Sequence, residues 1–192
     1  MPTLYVIAGP NGVGKTTFAG RYLPDEVKQA EFVNVDLIAR GLSPYDPDSV
    51  AVEAGRIALK RIRGLIARGV GFAWETTMSG RTSVGWLRQA RGAGYFLKAY
   101  FLWVRDPGVT LSRIRQRAAG GGHDIAEEIL RRRFYKTIQN FFTIYRPLMD
   151  TWKLFETDRP ALRLIAVGKG GRLAVRDRAR LTEVLREAEI EL

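Results

Sequence analysis

The amino-acid sequence predicts an α/β fold, with a central, mostly parallel sheet and helices on both faces. Apolar, strand-like runs alternate with amphipathic, helix-like stretches from end to end, the order expected of strand–helix–strand units. The run YFLKAYFLWV (95–104) is almost wholly apolar, as a strand is when both of its faces are covered. A glycine-rich segment, GPNGVGKTTF (9–18), follows the first strand-like run directly. Loops at the carboxyl ends of parallel strands are where such sheets bind ligands.

The elements follow in order. TLYVIAG (3–9) is a compact, β-branched first strand, and a helix runs from about Lys15 to Tyr22. EFVNVD (31–36) reads as a second strand. The amphipathic stretch 46–69 reads as a long helix, with Asp46 as N-cap and Pro47 at its first position. VGFAWETT (70–77) is a third strand, 79–94 a helix ending in glycine, and 95–104 the fourth strand. Asp106-Pro107 opens a helix that runs into AAGGGHD (118–124). A helix rich in arginine and aromatics extends from about Ile125 to Met149. WKLFET (152–157) and LRLIAVG (162–168) are late strands, and a charged helix from about Val175 follows. No repeat, low-complexity tract or long linker interrupts residues 1–192, so one domain is expected.

Composition excludes several function classes. The chain has no cysteine, hence no disulfide, thiolate metal site or cysteine nucleophile. No apolar run approaches the length of a bilayer span, and MPTLYVIAG enters a strand without a signal-peptide pattern, so a cytoplasmic enzyme is expected. Lys and Arg number 31 against 20 Asp and Glu, a net charge of +11, which favours acidic partners such as nucleotides. No nucleic-acid-binding motif accompanies that charge, and nucleic acid is not the expected partner.

GPNGVGKT fits G-x-x-x-x-G-K-[ST], the phosphate loop of the P-loop NTPases. The loop residues Gly9, Pro10, Asn11, Gly12, Val13 and Gly14 can turn successive N–H groups toward phosphate oxygens. The helix behind them presents its positive end to the same anion. Lys15 is expected to reach the β- and γ-phosphates of ATP, and the Thr16 hydroxyl to ligate Mg²⁺. Thr17 is either a second hydroxyl near the phosphates or an ordinary helix residue. The wording of the loop is similar to that of ABC-type ATPases, but their LSGGQ-like signature is absent, as is the N-K-x-D motif of regulatory GTPases. Small kinases with an arginine-bearing helical lid remain.

The other candidates sit after the later strands. Asp36 stands at the end of FVNVD, where a carboxylate could take the proton of an attacking hydroxyl or hold Mg²⁺ through water. The alternative is a turn or N-cap aspartate. Glu75 ends a hydrophobic strand, where an unpaired carboxylate is costly. It is expected to meet a cation, a metal-bound water or a substrate hydroxyl, or else to be a capped or salt-bridged residue. Of Thr76 and Thr77, which alternate faces, one can line the site. Arg81, in the first turn of the next helix, is either matched by a substrate anion or exposed. The lid, about 106–134, holds Arg113 and Arg117 on one helix face, then Arg131, Arg132 and Arg133 at successive 100° steps. Arginines closing over a γ-phosphate stabilise transferring charge. Glu127–Arg131 and Glu128–Arg132 also fit ordinary helix-surface pairs. His123 reads as a loop surface residue.

Five stretches together resemble the zeta-toxin-like P-loop kinases, in particular a short bacterial branch. They are LYVIAGPNGVGKTTFA (4–19), FVNVDLIARGLSP (32–44), FAWETTMSGR (72–81), LWVRDP (102–107) and GGHDIAEEILRRRF (121–134). The resemblance implies ATP and Mg²⁺ as cofactors and phosphoryl transfer to a hydroxyl of a small molecule, UDP-N-acetylglucosamine in well-understood members, with an antitoxin protein as partner. It implies Lys15 and Thr16 at phosphate and Mg²⁺, Asp36 as base, and Glu75 and Thr77 holding the acceptor; Arg81 comes later than the arginine of the family's glutamate motif. Lid arginines (Arg113, Arg117, Arg131 and Arg132) would clamp the γ-phosphate. The toxins are longer, and their glutamate motif continues with glycine where this chain has E-T-T. The rival expectations are a P-loop ATPase module acting on a protein partner and a polynucleotide kinase.

Overall fold

A computed structural model describes residues 1–22, 31–118, 127–158 and 161–190, with the side chains of 116–118 excepted. The GGGHD tip with His123 lies outside the described residues, and so does the side chain of Arg117. Seven strands form one sheet in the order β2-β3-β1-β4-β5-β6-β7. They are β1 (Thr3–Ala8), β2 (Glu31–Val33), β3 (Phe72–Thr76), β4 (Phe96–Trp103), β5 (Thr151–Glu156), β6 (Arg163–Lys169) and β7 (Arg172–Val175). The first five pair in parallel, and β6 and β7 add antiparallel at one edge. The helices are α1 (Lys15–Tyr22), α2 (Val35–Leu42), α3 (Ala51–Ala67), α4 (Ser83–Gly92), α5 (Pro107–Ala118), α6 (Glu127–Asn140) and α7 (Arg178–Glu187). This is the expected α/β architecture of a P-loop NTPase.

β4 carries the centre of the core. Residues 99–104 are all buried, six in succession, which requires cover on both sheet faces because successive side chains point opposite ways. Phe101 stacks on Phe141 with ring centroids 4.1 Å apart, fixing the segment after α6 against the sheet. No described helix is long and apolar enough to cross a membrane.

Three expectations change. β2 stops at Val33 rather than running to residue 36, because Asn34 caps a helix that the alternating Val33-Asn34-Val35-Asp36 pattern hid. Its Oδ1 accepts from the N–H of Asp36 at 2.8 Å and of Leu37 at 3.1 Å, and α2 follows. The 46–69 stretch divides into a 3₁₀ turn, Pro47–Val50, and α3. The helix expected over 125–149 ends at Asn140 and continues as a π turn, Phe141–Tyr145, and a 3₁₀ turn, Arg146–Leu148.

Candidate active site

The loop between β1 and α1 is shaped by glycines with positive φ. Gly9 has φ +145° and Gly12 φ +76°, conformations that side chains rarely adopt. A Cβ on Gly9 would lie 2.4 Å from the Leu102 carbonyl oxygen, and one on Gly12 2.7 Å from that of Thr110. The loop is therefore packed directly against β4 and α5. The Thr157 hydroxyl, just past β5, donates to the Val13 carbonyl at 2.8 Å. Lys15 is buried and donates to the carbonyls of Gly9 at 3.0 Å and Pro10 at 2.9 Å. Its ammonium thus lies across the cradle whose N–H groups suit phosphate.

Glu75 is the polar hub. It sits opposite Ile7 on the neighbouring strand, which brings its carboxylate to the start of α1. The Thr16 hydroxyl donates to its Oε2 at 3.0 Å, and Asn34 Nδ2 donates to the same oxygen at 2.8 Å. Burial pushes the Glu75 carboxyl above its ordinary value. The Lys15 charge and the Thr16 bond oppose this, the Asp36 charge adds to it, and the Asn34 bond opposes it. Asn34 therefore does two jobs, capping α2 and gripping Glu75. It is not among the candidates read from the sequence. Its position just before an amphipathic segment is an N-cap signal that was available.

A cavity of about 330 Å³ opens from the phosphate loop. Asn11 and Lys15 line one end, Asp36 and Glu75 one side, and Trp74 and Trp86 part of the apolar wall. Asp36 is exposed, on the first turn of α2 rather than at a strand tip. Thr76 and Thr77 both line the cavity. The expected alternation fails because β3 ends at Thr76, and a turn re-aims Thr77. Arg81 lies two residues before α4 rather than in its first turn. It is exposed, outside the cavity lining and without a salt bridge among the described residues.

The lid arginines separate. Arg113 Nη1 donates to the Gly12 carbonyl at 3.2 Å, touching the phosphate loop. Arg131 turns instead to Glu127, which also holds Arg115, so these charges tie α5 to α6. Arg132 is exposed. Arg133 lines a second cavity of about 100 Å³, together with Pro10, Asn11 and Thr77. Its place between buried Leu130 and Phe134 on α6 was a readable sign that it borders the packed face. Arg105, just after β4, pairs with Glu183 on α7. Thr17 stands exposed on α1, beside the equally exposed Thr16.

The AAA domain family model matches residues 4–141. An uncharacterised protein of Haemophilus influenzae is 30% identical over 126 residues, 66% of this chain and 88% of that one. Among solved structures, the AvrRxo1-ORF1:AvrRxo1-ORF2 complex with ATP aligns at TM-score 0.78 and 19% identity, covering all of this chain. This chain spans 65% of that one. A chain of the PezAT chromosomal toxin–antitoxin system of Streptococcus pneumoniae aligns at TM-score 0.67 and 15% identity, with coverage of 100% and 80%. Shikimate kinase from Acinetobacter baumannii aligns at 0.51 and 16% identity, covering 84% of this chain and 87% of that one. At such identities the likeness is one of fold.

Proposed function

The chain belongs to the AAA domain family, and from that premise we propose that it is an ATP-dependent phosphotransferase acting on a hydroxyl of a small molecule. One observation carries the reading. The 330 Å³ cavity is lined at once by the phosphate-loop lysine and by two carboxylates, Asp36 and Glu75. Phosphate donor and acceptor would thus meet inside one chamber, which an ATPase module serving a protein partner does not require. Kinase and toxin neighbours of the same fold support it.

In this reading Lys15 leaves the loop carbonyls to hold the β- and γ-phosphates of ATP. Asp36, at the chamber rim, accepts the proton of the acceptor hydroxyl. Arg113 and Arg133, which border the loop, stabilise charge on the transferring group, with Arg117 a further candidate on the same helix as Arg113. Arg132 would join only if α6 turned, and Arg131 only by releasing Glu127. The Thr16 hydroxyl and the Glu75 carboxylate form an oxygen-only donor set with buried negative charge, which fits a hard divalent cation such as Mg²⁺. Thr16 would hold the ion directly, and Glu75 and Asp36 through its water. When bound, Mg²⁺ would neutralise charge on the phosphates. Glu75 is thereby assigned to the metal side of the chamber more than to the acceptor, and Thr77 to the acceptor. Arg81 could reach only an acceptor projecting from the mouth.

UDP-N-acetylglucosamine is the first acceptor to test, and an antitoxin-like protein is the partner the proposal includes. Both rest on the zeta-toxin resemblance, and the reading places the enzyme in the cytoplasm. Incubation with γ-labelled ATP and a metabolite panel containing that sugar nucleotide should label one acceptor. Lys15→Ala should lower the label by about 100-fold or more. Equal label with both proteins would assign the activity to a contaminant.

A further inference from the structure

Independently of the phosphotransferase reading, we propose that the half-buried face of the sheet formed by β1, β4, β5, β6 and β7 docks a protein partner through an amphipathic helix flanked by Asp and Glu. On β1, β4 and β5 the burial alternates. Leu4, Val6, Leu97, Ala99, Trp152 and Leu154 point to a buried side, and the residues between them, Tyr5, Lys98 and Lys153, are half-buried on the other. The strand registers join that second side into one surface. Tyr5, Lys98, Thr151, Lys169 and Arg172 stand in a row across five strands. Tyr100, Lys153, Val167 and Ala174 form the next row.

Parallel strands are as a rule covered by helices on both sides. β4 is the middle strand of seven, yet it leaves Phe96 and Lys98 half-buried. α1 covers the end nearer the phosphate loop, where Phe18 packs on Tyr100 and Phe155 with ring centroids 5.5 and 5.6 Å away. Past that contact the face mixes apolar groups, Tyr5, Phe96 and Val167, with cations. Lys98 Nζ lies over the rings of Tyr5 and Tyr100, at 5.7 and 5.8 Å from their centroids, so aromatic faces hold its charge at the middle of the surface. Lys169 stands directly opposite Arg172, and like charges in that position cost stability.

The charges decide the occupant. Lys98, Lys153, Lys169 and Arg172 all project from this side, and the five strands place no Asp or Glu on it; their single acid, Glu156, belongs to the buried side of β5. An acidic helix supplies the opposite charge, and its apolar stripe covers Tyr5, Phe96 and Val167, as a helix ordinarily packs on a sheet. A second copy of this chain is the poorer match, because the face would meet its own four cations and the net charge is +11. Single-stranded nucleic acid needs rings free to stack, whereas Tyr5 and Phe96 are half-buried and Tyr100 lies against Phe18.

Fluorescence anisotropy tests this with a labelled peptide of about 18 residues, long enough to be helical. The peptide carries leucine on one face and glutamate on the other, and a twin carries lysine in place of glutamate. The acidic peptide should bind with a Kd on the order of 10 µM, and the lysine twin about tenfold or more weakly. Lys98→Glu combined with Lys153→Glu should weaken the acidic peptide about tenfold or more. Arg56→Glu combined with Lys60→Glu, exposed on α3, makes the same change in net charge elsewhere and should shift binding about twofold or less. Lysine methylation read by mass spectrometry repeats the test on the unaltered chain. The peptide should protect Lys98 and Lys153 and leave Lys60 and Lys136, exposed on their helices, labelled as before. No binding of the acidic peptide, equal loss in the two double variants, or unprotected Lys98 and Lys153 would overturn the proposal. So would tighter binding of an oligodeoxythymidine strand that the Lys98–Lys153 variant loses, which assigns the face to nucleic acid. Protection of both lysines by self-association alone would overturn it in favour of a second copy.

Discussion

Glu75 concentrates the chemistry and the cost of the site in one side chain. Its carboxylate is buried at 8% exposure between Thr16 and Asn34, and burial raises its pKa above 4.5. A raised folded pKa means that this group's contribution to stability is fully present below about pH 4.5. The contribution is lost as pH rises through the folded value. Glu75→Gln should therefore be more stable than the wild type at neutral pH, with the difference closing in acid, while phosphoryl transfer falls. Urea titrations at several pH values check the first part, and a transfer assay the second. Asn34 was hard to read because its two roles are made by different atoms: Oδ1 caps α2, and Nδ2 reaches a strand 41 residues away in sequence. The cap could be seen locally; the grip on Glu75 depends on β2 and β3 being neighbours.

At the scale of elements, the phosphate loop, its acceptor-side wall and the arginine helix are mechanically joined. α5 is fixed to the loop by Thr110 beneath Gly12 and by Arg113 on the Gly12 carbonyl. α6 is fixed to the turn after β3. Asn140, 1% exposed at the end of α6, donates to the carbonyls of Met78 at 2.9 Å and Ser79 at 3.0 Å. Tyr145, in the π turn, donates to the Gly80 carbonyl at 2.6 Å. These bonds hold Met78 at φ +55°, a strained value for a residue with a side chain. Asn140→Leu keeps the volume and removes both bonds. It should cost about 1–3 kcal/mol in urea unfolding and raise the acceptor KM more than the ATP KM, since Thr77 and Thr82 flank this turn in the cavity wall.

The same scale explains what could be read in advance. β1, α1 and β4 were legible because local pattern and final environment agree: apolar runs for fully covered strands, and glycines where the backbone turns. α2 was hidden because Val33-Asn34-Val35-Asp36 alternates as a strand does. β7 was missed because all four of its residues are exposed, so no burial period marks it. Of the arginines, the sequence supplied the faces but not which charges were already engaged. Glu127 claims Arg131 and Arg115, which only folding α5 against α6 decides.

Across the whole molecule, a charged network joins α7 to the C-terminal ends of β4 and β5. Arg105 meets Glu183 at 2.8 Å, and buried Glu156 lies 3.4 Å from Arg180 and 3.8 Å from Arg163. Trp103, fully buried at the end of β4, donates to Glu187 at 2.8 Å. Burial pushes the Glu187 carboxyl up to about 7, against the Trp103 bond and with help from Glu183. Its contribution is full below about pH 4.5 and lost as pH rises through about 7. Glu187→Gln should flatten the fall in stability across that window, as read from urea midpoints.

The central claim is that the phosphate passes from the loop to an acceptor hydroxyl with Asp36 as base. Asp36→Asn is the most direct test, because Asp36 is exposed at the chamber rim and its loss leaves the phosphate loop intact. The variant should bind ATP as the wild type does and transfer phosphate about 10²–10⁴-fold more slowly. Transfer at the wild-type rate, or ATP consumption by the wild type with no phosphorylated acceptor, would contradict the account.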